Sequence, residues 1–320
     1  MPPCAVPPML FLILDTIAAR ARLVLPVGLV LGILGGLVAP DLAPALQGLV
    51  APVVVALLFL GVLRLGPEGV RAGLYGWRGG VIAVLALQLA LPVAAVLGGQ
   101  AIGLGGVVLA GVVLVLAAAP ITGSPNLAIL SGASGAVALR QLVLGTALLP
   151  LTALPVFLLM PGWGAPQEVV VIVLRLLVLI GLAGGLGLWL RHRGIVGGDP
   201  RSLRAIDGLA TLLLAVIVIA LMGAVGPALL SGSGAWIMLA GVLALGFGLQ
   251  AGVLVVMHKR APLVEVASLS QAAGNRNIAL FLGVLPASVA ADLFVFIGLY
   301  QIPMYLTPLV MGWVYRRMEP

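Results

Sequence analysis

An all-α polytopic membrane protein is the fold class this sequence predicts, and three observations carry that reading. The 320 residues are 62% hydrophobic and 8% charged, with a mean hydropathy of +1.29. A soluble domain of this size needs polar cover, because so much of its surface meets water. Apolar stretches of about 20 residues recur along the chain, the length that crosses a hydrocarbon core. The basic residues fall between those stretches, so the net charge of +7 reads as a topology signal and not as a nucleic-acid surface. The cysteine count of one, Cys4, excludes an internal disulfide and a multi-cysteine metal site. The apolar run from Pro8 to Leu14 is short, lacks a basic start and is followed by Asp15, so no cleaved signal peptide is expected.

Ten spans are predicted: Leu23–Val38, Leu46–Leu63, Gly79–Leu97, Val107–Leu130, Leu142–Met160, Val169–Leu190, Leu209–Val225, Ala235–Met257, Leu263–Leu285 and Leu293–Tyr315. Fourteen of the sixteen basic residues then lie on one face. They are Arg20 and Arg22 before the first span, Arg64, Arg71 and Arg78, then Arg140, then Arg191, Arg193, Arg201 and Arg204, then Lys259 and Arg260, and finally Arg316 and Arg317. Loops on the opposite face carry no lysine or arginine. The positive-inside bias therefore predicts a multi-pass protein of the cell membrane with both termini in the cytoplasm.

Ten spans divide into two halves of five, and an odd number per half inverts one half relative to the other. The expected order is a cytoplasmic segment over residues 1–22, a first repeat over 23–163, a second over 164–315 and a tail over 316–320. Features recur between halves. Gly28, Gly32 and Gly36 are spaced by four in span one, as are Gly181 and Gly185 in span six, a spacing that lets helices approach closely in lipid. Gln88 in span three has a counterpart in Gln250 in span eight. Spans four and nine are both interrupted, and matched interruptions point to a binding site.

Span four breaks at Pro120-Ile121-Thr122-Gly123-Ser124-Pro125-Asn126. Pro125 removes a backbone donor, and Thr122, Ser124 and Asn126 supply polar groups at a depth where free backbone is costly. Ser124 is a candidate cap for the half-helix that follows, whose positive end favours an anion. The bland alternative is a proline kink with hydroxyls bonded back to the helix. Span nine breaks at Gly274-Asn275-Arg276-Asn277. Arg276 lies 13 residues past the start of its span, roughly 20 Å deep in a helix, too far for a snorkelling side chain. The acidic residues all fall at or near a membrane face, so a helix C-terminus, water or a transient anion is left to neutralise it. Arg175, seven residues after Glu168, reads instead as a snorkelling residue.

With these motifs the chain resembles the bile acid:sodium symporter family, from about Arg20 to Arg317. Gln88 ahead of Leu91-Pro92 looks like that family's third span, and Phe59-Leu60-Gly61-Val62-Leu63-Arg64-Leu65 like the close of its second. Pro120 and Asn126 match the ends of its Pro-Gly-Gly-x-x-Ser-Asn stretch, with Pro125 in place of the serine. In the second crossing helix the family reads Glu-x-Gly-x-Gln-Asn. Here Gly274 and Asn277 match, while Ala272 replaces the glutamate and Arg276 the glutamine. The resemblance implies two inverted repeats of five helices, a panel and a core domain, two crossing broken helices, and alternating access.

Sodium is the family's coupling ion, but a guanidinium within the site repels a hard cation, so sodium coupling is not expected. Two sodium ions and one glutamate leave a net +1, and Arg276 without the glutamate leaves +1 with no ion bound. The expected function is thus secondary transport of a small organic anion, with Arg276 standing in for the cation. Arg276, Asn277, Asn275, Asn126, Ser124, Thr122 and Gln88 are the expected substrate-binding residues, and no cofactor, metal or nucleic-acid partner is expected. The alternatives are a symporter holding sodium elsewhere, a non-transporting membrane sensor, and an arsenite- or auxin-type permease of the same architecture. An intramembrane enzyme has no motif here, since His192 and His258 both fall in loops.

Overall fold

The computed structural model describes residues 8–39 and 42–318. Cys4, Asp41 and Glu319 lie outside them, as do the ends of the expected terminal segments. The described residues form α-helices joined by short turns, with one isolated backbone bridge. Seven helices are long and apolar enough to cross a membrane: Val50–Leu74, Trp77–Ala101, Gly135–Leu158, Pro166–His192, Pro200–Ser231, Ser233–Met257 and Ser288–Met318. Their outer faces are apolar: Ile82, Leu151, Leu182, Ile237, Val255 and Leu309 are all exposed. Water would penalise such a surface, whereas a bilayer matches it, and the chain is an all-α, multi-pass membrane protein in class.

The remaining expected spans fall on shorter helices. Helices α1 (Pro8–Ala19), α2 (Ala21–Val38) and α3 (Leu42–Gly48) precede the long α4 (Val50–Leu74). Span four becomes α7 (Gly106–Ala117), an extended break, and α8 (Ser124–Leu130). Span nine becomes α13 (Leu263–Gly274), a second break, and α14 (Ala279–Leu282). Span three is α5 (Trp77–Leu85), a π-helical turn Ala86–Ala90, and α6 (Leu91–Ala101). Pro92, two residues past the end of that turn, cannot donate to the ladder, which is the physical setting for a wide turn. The other long helices are α9 (Gly135–Leu158), α10 (Pro166–His192), α11 (Pro200–Ser231), α12 (Ser233–Met257) and α15 (Ala287–Met318).

The chain divides into two compact units. The first runs to Val70 and resumes at Val178–Gly232, and the second is Arg71–Leu177 with the chain from Ser233 onward. In the first unit α2 packs along α11 through the predicted glycine stripe. A Cβ on Gly32 would lie 2.6 Å from Met222 Cβ and 2.8 Å from the Ile219 carbonyl oxygen, and one on Gly36 would strike the Gly223 carbonyl. Gly226 answers from α11, where a Cβ would lie 2.6 Å from the Ile33 carbonyl oxygen. The pair Gly181 and Gly185 has no such role, because a Cβ on either meets open space among the described residues. Gly187 makes the close approach in α10 instead, where a Cβ would lie 3.2 Å from the Phe59 carbonyl oxygen. Arg64 and Asp207 form a salt bridge in this unit, and Arg204 pairs with Asp15 at 3.4 Å.

The second unit has the opposite chemistry in its interior. Gln88, Ser124, Gln141, Thr152, Gln250, Ser268, Ser270, Gln271, Asn275, Arg276 and Thr307 are all buried there. No buried polar side chain of the first unit appears among the described residues. Apolar outside and polar inside is the arrangement a bilayer protein uses around a functional centre.

Candidate functional site

The site is built where two interrupted helical segments of the second unit meet, α7–α8 and α13–α14. Helix α7 ends at Ala117, and the chain turns to extended geometry at Ala118 (φ −67°, ψ 150°). Helix α13 ends at Gly274 and is followed by Asn275 (φ −114°, ψ 86°). The two extended pieces meet as an antiparallel bridge between Pro120 and Arg276. Ile121 N donates to the Asn275 carbonyl at 3.0 Å, and Asn277 N donates to the Ala119 carbonyl at 2.8 Å. Each break thus satisfies backbone groups that the other leaves free, which is how irregular backbone persists inside an apolar protein. Gly274 is required at the crossing. A Cβ there would lie 2.5 Å from both Gln250 Cγ and the Gly246 carbonyl oxygen.

Arg276 is 2% exposed and points back into the helix ends. Its Nε donates to the Ala273 carbonyl and its Nη1 to the Ala118 carbonyl, both at 2.9 Å. These oxygens belong to the C-terminal ends of α13 and α7. A helix C-terminus carries about half a negative elementary charge, so the two together match one guanidinium. Among the described residues no carboxylate lies within ion-pair distance of Arg276. The expected absence of an acidic partner is therefore explained by peptide dipoles. The third nitrogen, Nη2, is buried without a partner. It is the group left to bind something else.

Further unpartnered polar atoms surround the crossing. Asn275 Nδ2 donates to the Gln271 carbonyl at 2.9 Å, one helical turn back, while its Oδ1 has no partner. Gln271 is buried with both amide atoms unpartnered, and Ser124 Oγ is buried without a partner as well. Buried polar atoms are normally hydrogen-bonded, so such a group of exceptions marks a place for water or ligand. Ser124 does not cap α8. The N-cap is Gly123, which has no side chain to offer, and Ser124 is the first helical residue. Its backbone N bonds the Ile121 carbonyl at 2.9 Å, which keeps it within a turn of the bridge.

The remaining expected residues divide. Asn277 is half-buried and joins the bridge through its backbone. Thr122 and Asn126 are exposed, so the crossing does not enclose them. Gln88 is buried in the π-helical turn and donates to the Gly145 carbonyl of α9 at 3.2 Å. A Cβ on Gly145 would lie 2.7 Å from Gln88 Oε1 and 2.9 Å from Pro120 Cδ, so Gln88 supports the first break from behind. Two contributors, Tyr300 and Gln271, were not singled out from the sequence, and Gln250 was noted there only as the counterpart of Gln88. Tyr300 on α15 donates its hydroxyl to the Gly274 carbonyl at 2.8 Å. Gln250 donates to Thr307 Oγ1 at 3.1 Å behind Gly274. Gln271 was legible only as a polar residue one turn before Asn275, and Tyr300 had no local signal at all. No protein-family model and no curated protein matches the chain.

Proposed function

We propose that the protein is a secondary carrier of small organic anions in the cell membrane, working by alternating access, with Arg276 in the place of a coupling cation. The observation that carries this reading is the guanidinium seated on carbonyls at two half-helix C-termini. Transporters built on discontinuous helices use such unwound carbonyls and helix ends to coordinate their cations. Here a tethered cation takes that position, so the unit needs no dissolved ion to complete its charge. The buried Nη2, the Gln271 amide nitrogen and the Ser124 hydroxyl offer donors to a carboxylate or sulfonate, and guanidinium suits such acids.

Ten spans in two inverted halves belong to the same reading. The matched breaks of α7–α8 and α13–α14 support it, as does a first unit drawn from both halves of the sequence. We read that division as the panel and core that the resemblance to bile acid:sodium symporters implies.

The test has two stages. A thermal-shift screen of carboxylates and sulfonates on the purified protein identifies a binding anion, and uptake of that anion into proteoliposomes measures transport. The expected result is uptake of equal rate in sodium, potassium and choline media. Binding without uptake would instead support a membrane sensor. Uptake that rises steeply with sodium alone would place an ion elsewhere, Gln88 being the first residue to examine.

A further inference from the structure

Arg276 carries a charge that cannot leave. A bound sodium ion dissociates on one side and takes its positive charge with it, but a guanidinium held by Ala118 and Ala273 stays on its unit through every step. It also stays charged across the physiological pH range. The two helix ends that neutralise it locally are parts of dipoles with no net charge, so the formal +1 remains. Among the described residues, no acidic side chain pairs with it.

We infer that Arg276 makes the empty protein voltage-responsive: its switch of access moves one positive charge through part of the membrane field, while a bound monoanion cancels that charge. The inference rests on the carrier reading above, since it needs access to alternate. An elementary charge moved across 100 mV changes a two-state ratio by about fiftyfold, and a shorter electrical path scales the exponent down in proportion. An inside-negative potential therefore holds the empty site toward the cytoplasm. The form loaded with a monoanion switches without that bias. One-for-one exchange of monoanions is then faster than net uptake, and dianions lose the advantage.

No organic anion is needed for the test. Membranes carrying the purified protein are held in symmetrical choline chloride and stepped in voltage, and the transient charge displacement is recorded. The wild type is expected to show a saturating displacement, equal on and off, of at most about one elementary charge per molecule and flat from about pH 6 to 9. Arg276→Lys keeps the charge and should keep the displacement. Arg175→Gln removes the other intramembrane cation, which lies exposed on α10, and should leave the displacement intact. Arg276→Gln should abolish it.

A wild type without displacement overturns the inference whether or not the glutamine variant folds. So does a displacement that requires sodium, titrates in that pH range, or persists in folded Arg276→Gln. Uptake in liposomes by a protein that shows no displacement would overturn the voltage inference and leave the carrier standing. Displacement without uptake of any screened anion would leave the switch of access and remove the carrier.

Discussion

Pro120 and Arg276 face each other across an isolated antiparallel bridge, and the arginine side chain returns over that bridge to the carbonyl of Ala118. One residue therefore joins the two interrupted segments twice, by its neighbours' backbone and by its guanidinium. The arrangement explains why a cation can sit in an apolar protein, and it makes Arg276 a structural link between the two breaks.

Replacing Arg276 with methionine should leave the Ala118 and Ala273 carbonyls unpaired. Each buried acceptor so stranded costs about 1–3 kcal/mol, so a large drop in melting temperature of the detergent-purified protein is expected. Arg276→Lys should recover only part, because an ammonium cannot reproduce the planar fork. Equal melting of all three proteins would mean that the helix ends do not need the cation.

Anion affinity, once a ligand is known from the screen, should fall about tenfold or more in Arg276→Gln, from the loss of about 1.5–3 kcal/mol of charge-assisted hydrogen bonding. The double variant Ala272→Glu, Arg276→Gln places a carboxylate and an amide at the crossing. Sodium dependence of binding should arise in it and not in the wild type, as measured by titration calorimetry in sodium against choline.

Gly274→Ala should disturb the crossing more than the single added methyl group suggests. Its Cβ would lie within 2.6 Å of three atoms of Gln250 and Gly246, and one of them is backbone. Overpacking of this kind costs about 1–3 kcal/mol. In the first unit Gly32→Leu should be similarly harmful, since Met222 and Ile219 already fill the space. Gly181→Leu should be tolerated. Thermal melts of the three variants check the contrast.

At the start of α11, the Asp199 carboxylate accepts from the backbone of Arg201 and Ser202 and from the Ser202 hydroxyl. The Ser202 hydroxyl and then its backbone N–H hold Asp199 below the usual carboxylate range. Because the folded value is depressed, the cap's contribution is present above the ordinary aspartate value and is lost as pH falls through the lower folded one. Protection of the first-turn amides of α11, taken as the exchange rate relative to that of an unstructured chain at the same pH, should fall in that acid window, and Asp199→Asn should flatten the response.

Side assignment is a separate prediction from the arginine and lysine positions. A cysteine at Gly232, in a variant lacking Cys4, should react with an impermeant thiol reagent added outside. One placed in the Arg191–Arg204 segment should react only from the cytoplasm. Reversed labelling would overturn the orientation.

The sequence by itself determined the helical membrane class, the approximate places of the long helices and the two breaks, although α4 runs on to Leu74 past the expected Leu63 and α11 begins at Pro200 ahead of the expected Leu209. Those follow from local quantities: apolar length, proline and glycine placement, and the cost of free backbone in lipid. It also singled out Arg276, because a deep cation without a nearby acid is visible by position alone. Only the tertiary structure decided what neutralises that cation. The partners are carbonyls of Ala118 and Ala273, and every residue has a carbonyl, so no side-chain pattern could announce them. The same holds for Tyr300 on Gly274 and for the choice of Gly32 and Gly36 over Gly181 and Gly185 as contact points. These depend on which helix lies opposite, and that is set by packing between segments far apart in the chain.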